Sequence, residues 1–176
     1  MNRLRLATIW LDGCSGCHMS LLDMDELLLE LAPRLELLYS PLVDRKDFPA
    51  EVDLALLEGA VSTTDDLTKA QLVRSRSRLV VALGDCAVTA NVPGMRNPLD
   101  RDELLELIYR QKVDHNPGIP TEKVPELLPR SLPLHQVIKV DLFLPGCPPP
   151  AGAIAQTLIA VLEQRDLGRL PTLKFG

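Results

Sequence analysis

The stretch LRLATIWLDGCSGC, residues 4–17, joins an apolar run to a short glycine-rich turn that carries two cysteines. The apolar run, residues 4–11, predicts a buried β-strand. A helix-period pattern follows over residues 18–31, and Pro33 marks its end. A strand, a tight turn and a helix in this order are typical of the βα units that build parallel sheets.

The rest of the chain repeats this alternation of apolar runs and helical patterns. Further strands are predicted at residues 35–40, 52–57, 79–83 and 137–144, and helices at 64–75, 100–109 and from the prolines at 148–150 to about Gln164. Thr63 or Thr64 is suited to cap the helix at 64–75. Residues 113–136 contain five prolines and predict a long irregular loop.

Strands separated by helices predict the class of the fold. We expect an α/β protein with a doubly wound parallel sheet of four or five strands in flavodoxin-like order. The length of 176 residues suits a single domain, so one cluster-binding domain is predicted over residues 1–176.

The four cysteines of the chain follow predicted strands. Cys14 and Cys17 come after the first strand, Cys86 after a central strand and Cys147 after the last one. Because the carboxyl ends of parallel strands meet at one edge, these four thiols are predicted to share a single site, at the edge where such folds bind ligands.

Four convergent thiolates suit a [4Fe–4S] cluster, in which each iron takes one cysteine sulfur. Small residues beside the cysteines would let the backbone approach a bulky inorganic group. These residues are Gly13, Gly16, Gly84 and Gly146. Pro148 would fix the chain just after the last ligand.

Other interpretations of the cysteines stay open at this point. A Cys-x-x-Cys between a strand and a helix is also the arrangement of thioredoxin-like thiol–disulfide oxidoreductases. A structural Cys₄ zinc site usually has two such pairs, and this chain has one. Four unrelated buried thiols are the remaining interpretation.

Composition excludes several classes of partner. The formal charge is −5 and no long basic stripe is present, so nucleic acid is not an expected partner. No apolar run approaches the roughly 20 residues that span a bilayer. The N-terminus resembles neither a signal peptide nor a twin-arginine signal, so we expect a cytoplasmic protein, in which cysteines serve as ligands more often than as disulfides. No nucleotide-binding glycine motif and no Ser/His/Asp set is found, which indicates an electron relay that depends on partner proteins.

Four motifs together resemble one family. WLDGCSGCHMS at 10–20, EG at 58–59, GDC at 84–86 and PGCPP at 145–149 are similar to the small subunits of cytoplasmic, NAD-reducing [NiFe] hydrogenases. A related quinone oxidoreductase subunit of respiratory complex I shares the fold and the Gly-Cys-Pro ending. It is expected to have adjacent cysteines in the first motif, so the Cys-x-x-Cys spacing favours the hydrogenase.

The resemblance implies a set of cofactors and partners. Cys14, Cys17, Cys86 and Cys147 would ligate the cluster proximal to a nickel–iron centre, which lies in a separate large subunit. Electrons would continue to a diaphorase module with FMN and further Fe–S clusters, for the overall reaction H₂ + NAD⁺ ⇌ NADH + H⁺. A flavin would suit the flavodoxin-like sheet of this chain, but no residue argues for one.

Three further residues near the motifs have two interpretations each. Glu58 could accept hydrogen bonds at the subunit interface or join a proton path, or it could be an ordinary carboxylate at a strand end. His18 could donate a hydrogen bond to a cluster sulfur or merely begin the helix. Trp10, the sole tryptophan, could pack beside the cluster, but packing in the core is the favoured expectation.

Overall fold

A five-stranded parallel sheet forms the centre of the computed structural model, which describes residues 3–165. In chain order the strands are β1 (Leu4–Trp10), β2 (Leu35–Tyr39), β3 (Val52–Glu58), β4 (Val61–Thr63), β5 (Ser77–Leu83), β6 (Leu127–Leu132) and β7 (Leu142–Leu144). The sheet order is β2-β1-β3-β5-β7, and every neighbouring pair is parallel. This is the flavodoxin-like order, so the predicted fold class is confirmed.

Helices cover both faces of this sheet. They are α1 (Gly16–Leu22), α2 (Glu26–Leu31), α3 (Thr64–Arg76), α4 (Asp85–Thr89), α5 (Arg101–Glu106) and α6 (Ala151–Leu162). Successive residues of β3 serve the two faces: Leu54 and Leu56 pack on the side of α1 and α6, while Ala55 and Leu57 pack on the side of α3. A strand that is buried on both faces has a nearly continuous apolar sequence, and this pattern predicted β3.

The helix predicted over residues 18–31 is wrong as one element. The structure breaks it into α1 and α2 at a turn over residues 23–25, where Asp25 has φ of +48°, outside the helical region. The turn brings Met24 into the core layer that α1 and α6 share. Helical periodicity in the sequence does not reveal this break. Burial of Met24 in the core favours the break, and such a tertiary contact is not encoded in local helix propensity.

The long loop predicted over residues 113–136 is wrong in its second half, because β6 pairs antiparallel with β4 there. Pro129 lies within β6. Proline has no backbone N–H to donate, and a two-stranded ribbon tolerates it because each strand has an open edge that needs no donor. The Asn97 side chain binds this ribbon twice: its Nδ2 donates to the Ser131 carbonyl (2.9 Å) and its Oδ1 accepts from the Ser131 amide (2.7 Å). Contacts remote in sequence therefore make the strand.

The last strand is shorter than the predicted range 137–144, since β7 holds three residues. Just before it, the Asp141 carboxylate accepts a hydrogen bond from the amide of Val80 (2.9 Å), so a side chain takes the place of a strand carbonyl.

Two helix starts agree with the sequence. Thr63 caps α3 through the amide of Asp66 (3.1 Å), and α5 begins after Asp100, close to the predicted position. No helix among residues 3–165 has both the length and the hydropathy needed to cross a membrane.

Candidate functional site

The four cysteines lie on the loops and helix starts at the carboxyl edge of the sheet. Cys14 follows β1, Cys17 is the second residue of α1, Cys86 is the second residue of α4, and Cys147 follows β7. Since β1, β5 and β7 run parallel, these positions all lie beyond the same ends of their strands. The structure thus places the four predicted site residues along one edge.

Backbone pairing beyond the strand ends fixes the loop of Cys14. After β1 and β3 end, the amide of Asp12 donates to the Ala60 carbonyl (3.1 Å), and the amide of Ala60 donates back to Asp12 (2.8 Å). The next residue, Gly13, faces Gly59 so closely that a Cβ on Gly13 would lie 3.2 Å from the Gly59 Cα. The close approach of these two chain segments therefore favours glycine before the first cysteine.

The sulfur of Cys17 rests against the start of the Cys86 loop. A Cβ placed on Gly84 would lie 2.2 Å from the Cys17 Sγ and 3.4 Å from the Gly146 carbonyl oxygen. Gly84 also has φ of +82°, a conformation that other residues adopt only under strain. This position therefore admits only glycine, and it brings Cys17 to the residues that precede Cys86 and Cys147.

The environment of Cys17 and Cys86 disfavours their use as thiol–disulfide nucleophiles. Cys17 is 8% exposed, and burial raises the pKa of its thiol, with further contributions from Glu58 and from the other three cysteines. Burial likewise raises the pKa of Cys86. A thioredoxin-type nucleophile needs a lowered pKa. Cys17 and Cys86, whose ionisation burial disfavours, instead need a cationic group to hold them as thiolates.

The donor set fits an Fe–S cluster. Within residues 3–165 no three His, Cys, Asp or Glu side chains converge closely enough to hold one metal ion. A cubane cluster does not need several ligands on one ion. Each of its four irons binds one cysteine, so the cysteine sulfurs lie apart, around the cluster. The glycine at position 84, which keeps a side chain out of the space beside Cys17, suits such a bulky group. The four cysteines are the residues that would hold it.

A chain of buried polar side chains starts beside Cys17. The Glu58 carboxylate is 1% exposed, and its Oε2 accepts the amide of His18 (2.9 Å) and contacts His18 Nδ1 (2.5 Å). The other ring nitrogen, Nε2, lies 3.0 Å from Thr8 Oγ1, which donates to Ser40 Oγ (2.8 Å). The chain links the end of β3, the start of α1, the interior of β1 and the residue after β2.

This geometry bears on the interpretations of the three residues near the motifs. Both ring nitrogens of His18 are engaged elsewhere, so donation to a cluster sulfur is wrong for this conformation. Glu58 points inward to His18, which makes it an internal residue. The expectation that Trp10 packs in the core is wrong: Trp10 is 46% exposed, and its Nε1 donates to the Gly13 carbonyl (2.9 Å). It braces the Cys14 loop from outside.

Sequence reasoning missed several residues that hold the site together. Thr8 and Ser40 extend the chain from His18, Ser20 Oγ donates to the Pro149 carbonyl (2.5 Å), and Asp85 binds the loop of Cys147. The one available signal was Thr8, a polar residue in the middle of the apolar run of β1. The others contact partners far along the chain, which a single sequence does not reveal.

Removal of the Glu58 carboxylate is expected to destabilise the protein. Glu58→Leu leaves the buried amide and ring of His18 without an acceptor, so the free energy of unfolding should fall by about 3 kcal/mol. Glu58→Gln keeps one oxygen acceptor and should lose less. Urea unfolding measures both. The control is Glu51→Gln, which breaks an exposed pair with Arg5 and should cost under about 1 kcal/mol. Equal losses for Glu58→Leu and the control would contradict an internal role.

Comparison with known proteins places the chain in a family. The profile of the family described as NADH ubiquinone oxidoreductase, 20 kDa subunit, matches residues 14–161, from the first cysteine to the last helix. The chain belongs to this family. Several similar proteins are named as hydrogenase subunits. One is the delta subunit of the NAD-reducing hydrogenase HoxS of Cupriavidus necator, 36% identical over 93% of this chain and 81% of the relative.

A second relative comes from a methanogen. It belongs to the F420-non-reducing hydrogenase vhu of Methanocaldococcus jannaschii and is 39% identical over 96% of this chain. The chain spans between 56% and 59% of the length of the four methanogen relatives of this kind. Among solved structures, a chain of an NAD⁺-reducing [NiFe]-hydrogenase in the H₂-reduced state superposes with a TM-score of 0.92 at 36% identity. That match covers 99% of this chain and 100% of the other.

Proposed function

We propose that this chain is the electron-transfer small subunit of a cytoplasmic [NiFe] hydrogenase, in which Cys14, Cys17, Cys86 and Cys147 hold one [4Fe–4S] cluster. The cluster would relay electrons from a nickel–iron centre in a large subunit toward an NAD-reducing diaphorase module that carries FMN and further Fe–S clusters. The assembly would catalyse H₂ + NAD⁺ ⇌ NADH + H⁺, with the nickel–iron chemistry in another chain.

One observation carries the proposal: the match to the NAD⁺-reducing hydrogenase chain extends over the full length of both chains. A match of this extent supports the whole arrangement of loops around the cysteines, in addition to the core of the fold. The delta subunit of HoxS, also named as NAD-reducing, supports the same electron acceptor. The methanogen relatives are named for hydrogenases that do not reduce F420, and they support the hydrogenase in general.

The site is suited to relay electrons. A bound cluster would accept and release one electron at a time. Cys17 holds the inner side of the site within the core, while Cys14 and Cys147 are exposed and leave the outer side accessible to a partner. The polar chain from Glu58 to Ser40 fixes the start of α1, so the ligand loop needs little rearrangement when the charge of the cluster changes.

Exposed apolar side chains beside the cysteine loops support a tightly bound partner. Trp10 and Met19 flank the first loop, and Val92 and Met95 follow α4. Val92 also lies only six residues after Cys86 in the chain. Large apolar side chains around a charged site are typical of a protein interface. We propose the nickel-bearing large subunit as the partner on this surface.

Metal and activity measurements on the complex test the proposal. The chain is purified anaerobically with the proteins that accompany it. We expect about four irons attributable to this chain, nickel in a partner, and H₂-dependent reduction of NAD⁺. Zinc, or a Cys14–Cys17 disulfide without iron, would overturn the proposed cluster. Iron and nickel with H₂-dependent reduction of a viologen dye but not of NAD⁺ would keep the hydrogenase and overturn the diaphorase.

A further inference from the structure

Asp85 joins two of the cysteine loops. Its amide donates to the Gly146 carbonyl (2.9 Å), and its Oδ1 accepts the amide of Gly146 (2.7 Å). Asp85 immediately precedes Cys86, and Gly146 immediately precedes Cys147. The two residues that hold each other therefore each carry a cysteine as the next residue.

The contact continues a strand pair that ends just before it. β5 and β7 pair in parallel up to Leu83 and Leu144, and the amide of Gly84 then donates to the Leu144 carbonyl (2.8 Å). β7 is an edge strand of three residues, so few backbone bonds fix its position. The Asp85 carboxylate adds a bond beyond the strand, where the backbone supplies no further acceptor to Gly146.

The conformation of Gly146 explains why a side chain is needed. Gly146 has φ of +135°, and the tight turn into the prolines would place a Cβ 2.6 Å from the Pro149 Cα. The chain leaves the direction of β7 at this residue, so its amide turns away from the regular ladder. A carboxylate oxygen at position 85 satisfies that half-buried amide and holds the turn in place.

We propose that Asp85 is a positioning residue that sets Cys147 against Cys86 through the Gly146 amide, and whose negative charge lowers the reduction potential of the cluster between them. This inference rests on the proposed function only for the cluster and its potential. A fixed negative charge near a cluster disfavours the added electron, because reduction makes the cluster more negative. The two hydrogen bonds between Asp85 and Gly146, which we call the clamp, are present without any metal.

Two variants separate the hydrogen bond from the charge. Asp85→Asn keeps the Oδ1 acceptor and removes the charge, whereas Asp85→Ala removes both. Asp12→Asn is the control for the loss of the hydrogen bond, because Asp12 lies on the same edge and is exposed. Each variant is purified anaerobically as the complex, and iron content, the EPR spectrum of the reduced cluster and the midpoint potential are measured.

The clamp predicts a different result for each variant. Asp85→Asn should keep the iron content and the EPR line shape of the natural protein and show a higher midpoint potential. Asp85→Ala should lose iron or change the EPR line shape, and the Asp12 control should keep both. An Asp85→Ala protein with unchanged iron and line shape would overturn the positioning role. An Asp85→Asn protein that loses iron as Asp85→Ala does, or keeps the natural potential, would also overturn the proposal.

Hydrogen exchange at the Gly146 amide gives a readout that needs no cluster. In metal-free chain, exchange at Gly146 should be markedly faster in Asp85→Ala than in the natural chain, by about tenfold for a lost hydrogen bond of ordinary strength, and nearly unchanged in Asp85→Asn. If the natural complex holds no iron, the proposed function fails, and this exchange experiment still decides the clamp. Equal exchange rates in all three chains would overturn it.

Discussion

Replacement of Cys86 by Ala is expected to abolish the cluster and, with it, electron transfer through this chain. The remaining three cysteines would leave one iron of a cubane without a protein ligand, so iron content should fall from about four per chain to a small fraction of that. Cys86 follows closely after Gly84, against which the Cys17 sulfur rests. H₂-dependent reduction of any acceptor beyond the large subunit should be lost.

The same variant separates the cluster from thiol–disulfide chemistry. A thioredoxin-like mechanism uses Cys14 and Cys17 alone. Under that mechanism, the Cys86→Ala variant should keep full activity and a reversible Cys14–Cys17 disulfide. Leu29→Ala provides the control, because Leu29 lies in α2, outside the cysteine loops, with an exposed side chain. Iron analysis and the visible absorption of the cluster report the outcome. Full iron content in Cys86→Ala would contradict the assigned ligand set.

Replacement of Gly84 by Ala is expected to disturb both stability and the cluster. The new Cβ would lie 2.2 Å from the Cys17 Sγ, and the residue would have to keep φ of +82°. Strained backbone and overpacking each cost about 1–3 kcal/mol, so the free energy of unfolding should fall by about 2–6 kcal/mol. Since the Cys17 sulfur has to move, cluster content should fall as well.

A second glycine offers a matched control with the opposite expected sign. Gly152 lies in α6, and a Cβ added there would have no atom within 4 Å, so Gly152→Ala should stabilise the helix by about 0.5–1 kcal/mol. Urea unfolding and iron analysis of both variants measure the difference. Gly84→Ala with the stability and iron content of the natural chain would show that the Cys17 loop is free to shift.

The sequence predicted the sheet well because its central strands are buried on both faces. The apolar runs of β1, β3 and β5 stand out without any tertiary information, and the cysteines that follow β1 and β5 pointed to one edge. The strand β6 was hidden by Pro129, and the break between α1 and α2 was hidden by a helical pattern on both sides. Both depend on partners distant in the chain, which local propensity does not encode.

Prediction of the site was limited in the same way. Cysteine spacing and the glycines beside it are local signals, and they placed the donor set. The supports of that set are pairs such as His18 with Glu58, 40 residues apart, and Asp85 with Gly146, 61 residues apart. Trp10 misled because its apolar neighbours in β1 suggested burial, while the strand in fact ends there and turns its last side chain to the surface.

The spread of the cysteines over the chain constrains how the protein is made. Cys147 follows an edge strand that comes last in chain order, so the ribosome has produced β1, β3 and β5 well before the fourth ligand emerges. The sheet can pair its first four strands while the cluster still lacks one side. The proposed cluster would therefore be completed late in biosynthesis, and chain made without iron should have its first four sheet strands paired while the last βα unit, β7 with α6, is the least ordered part.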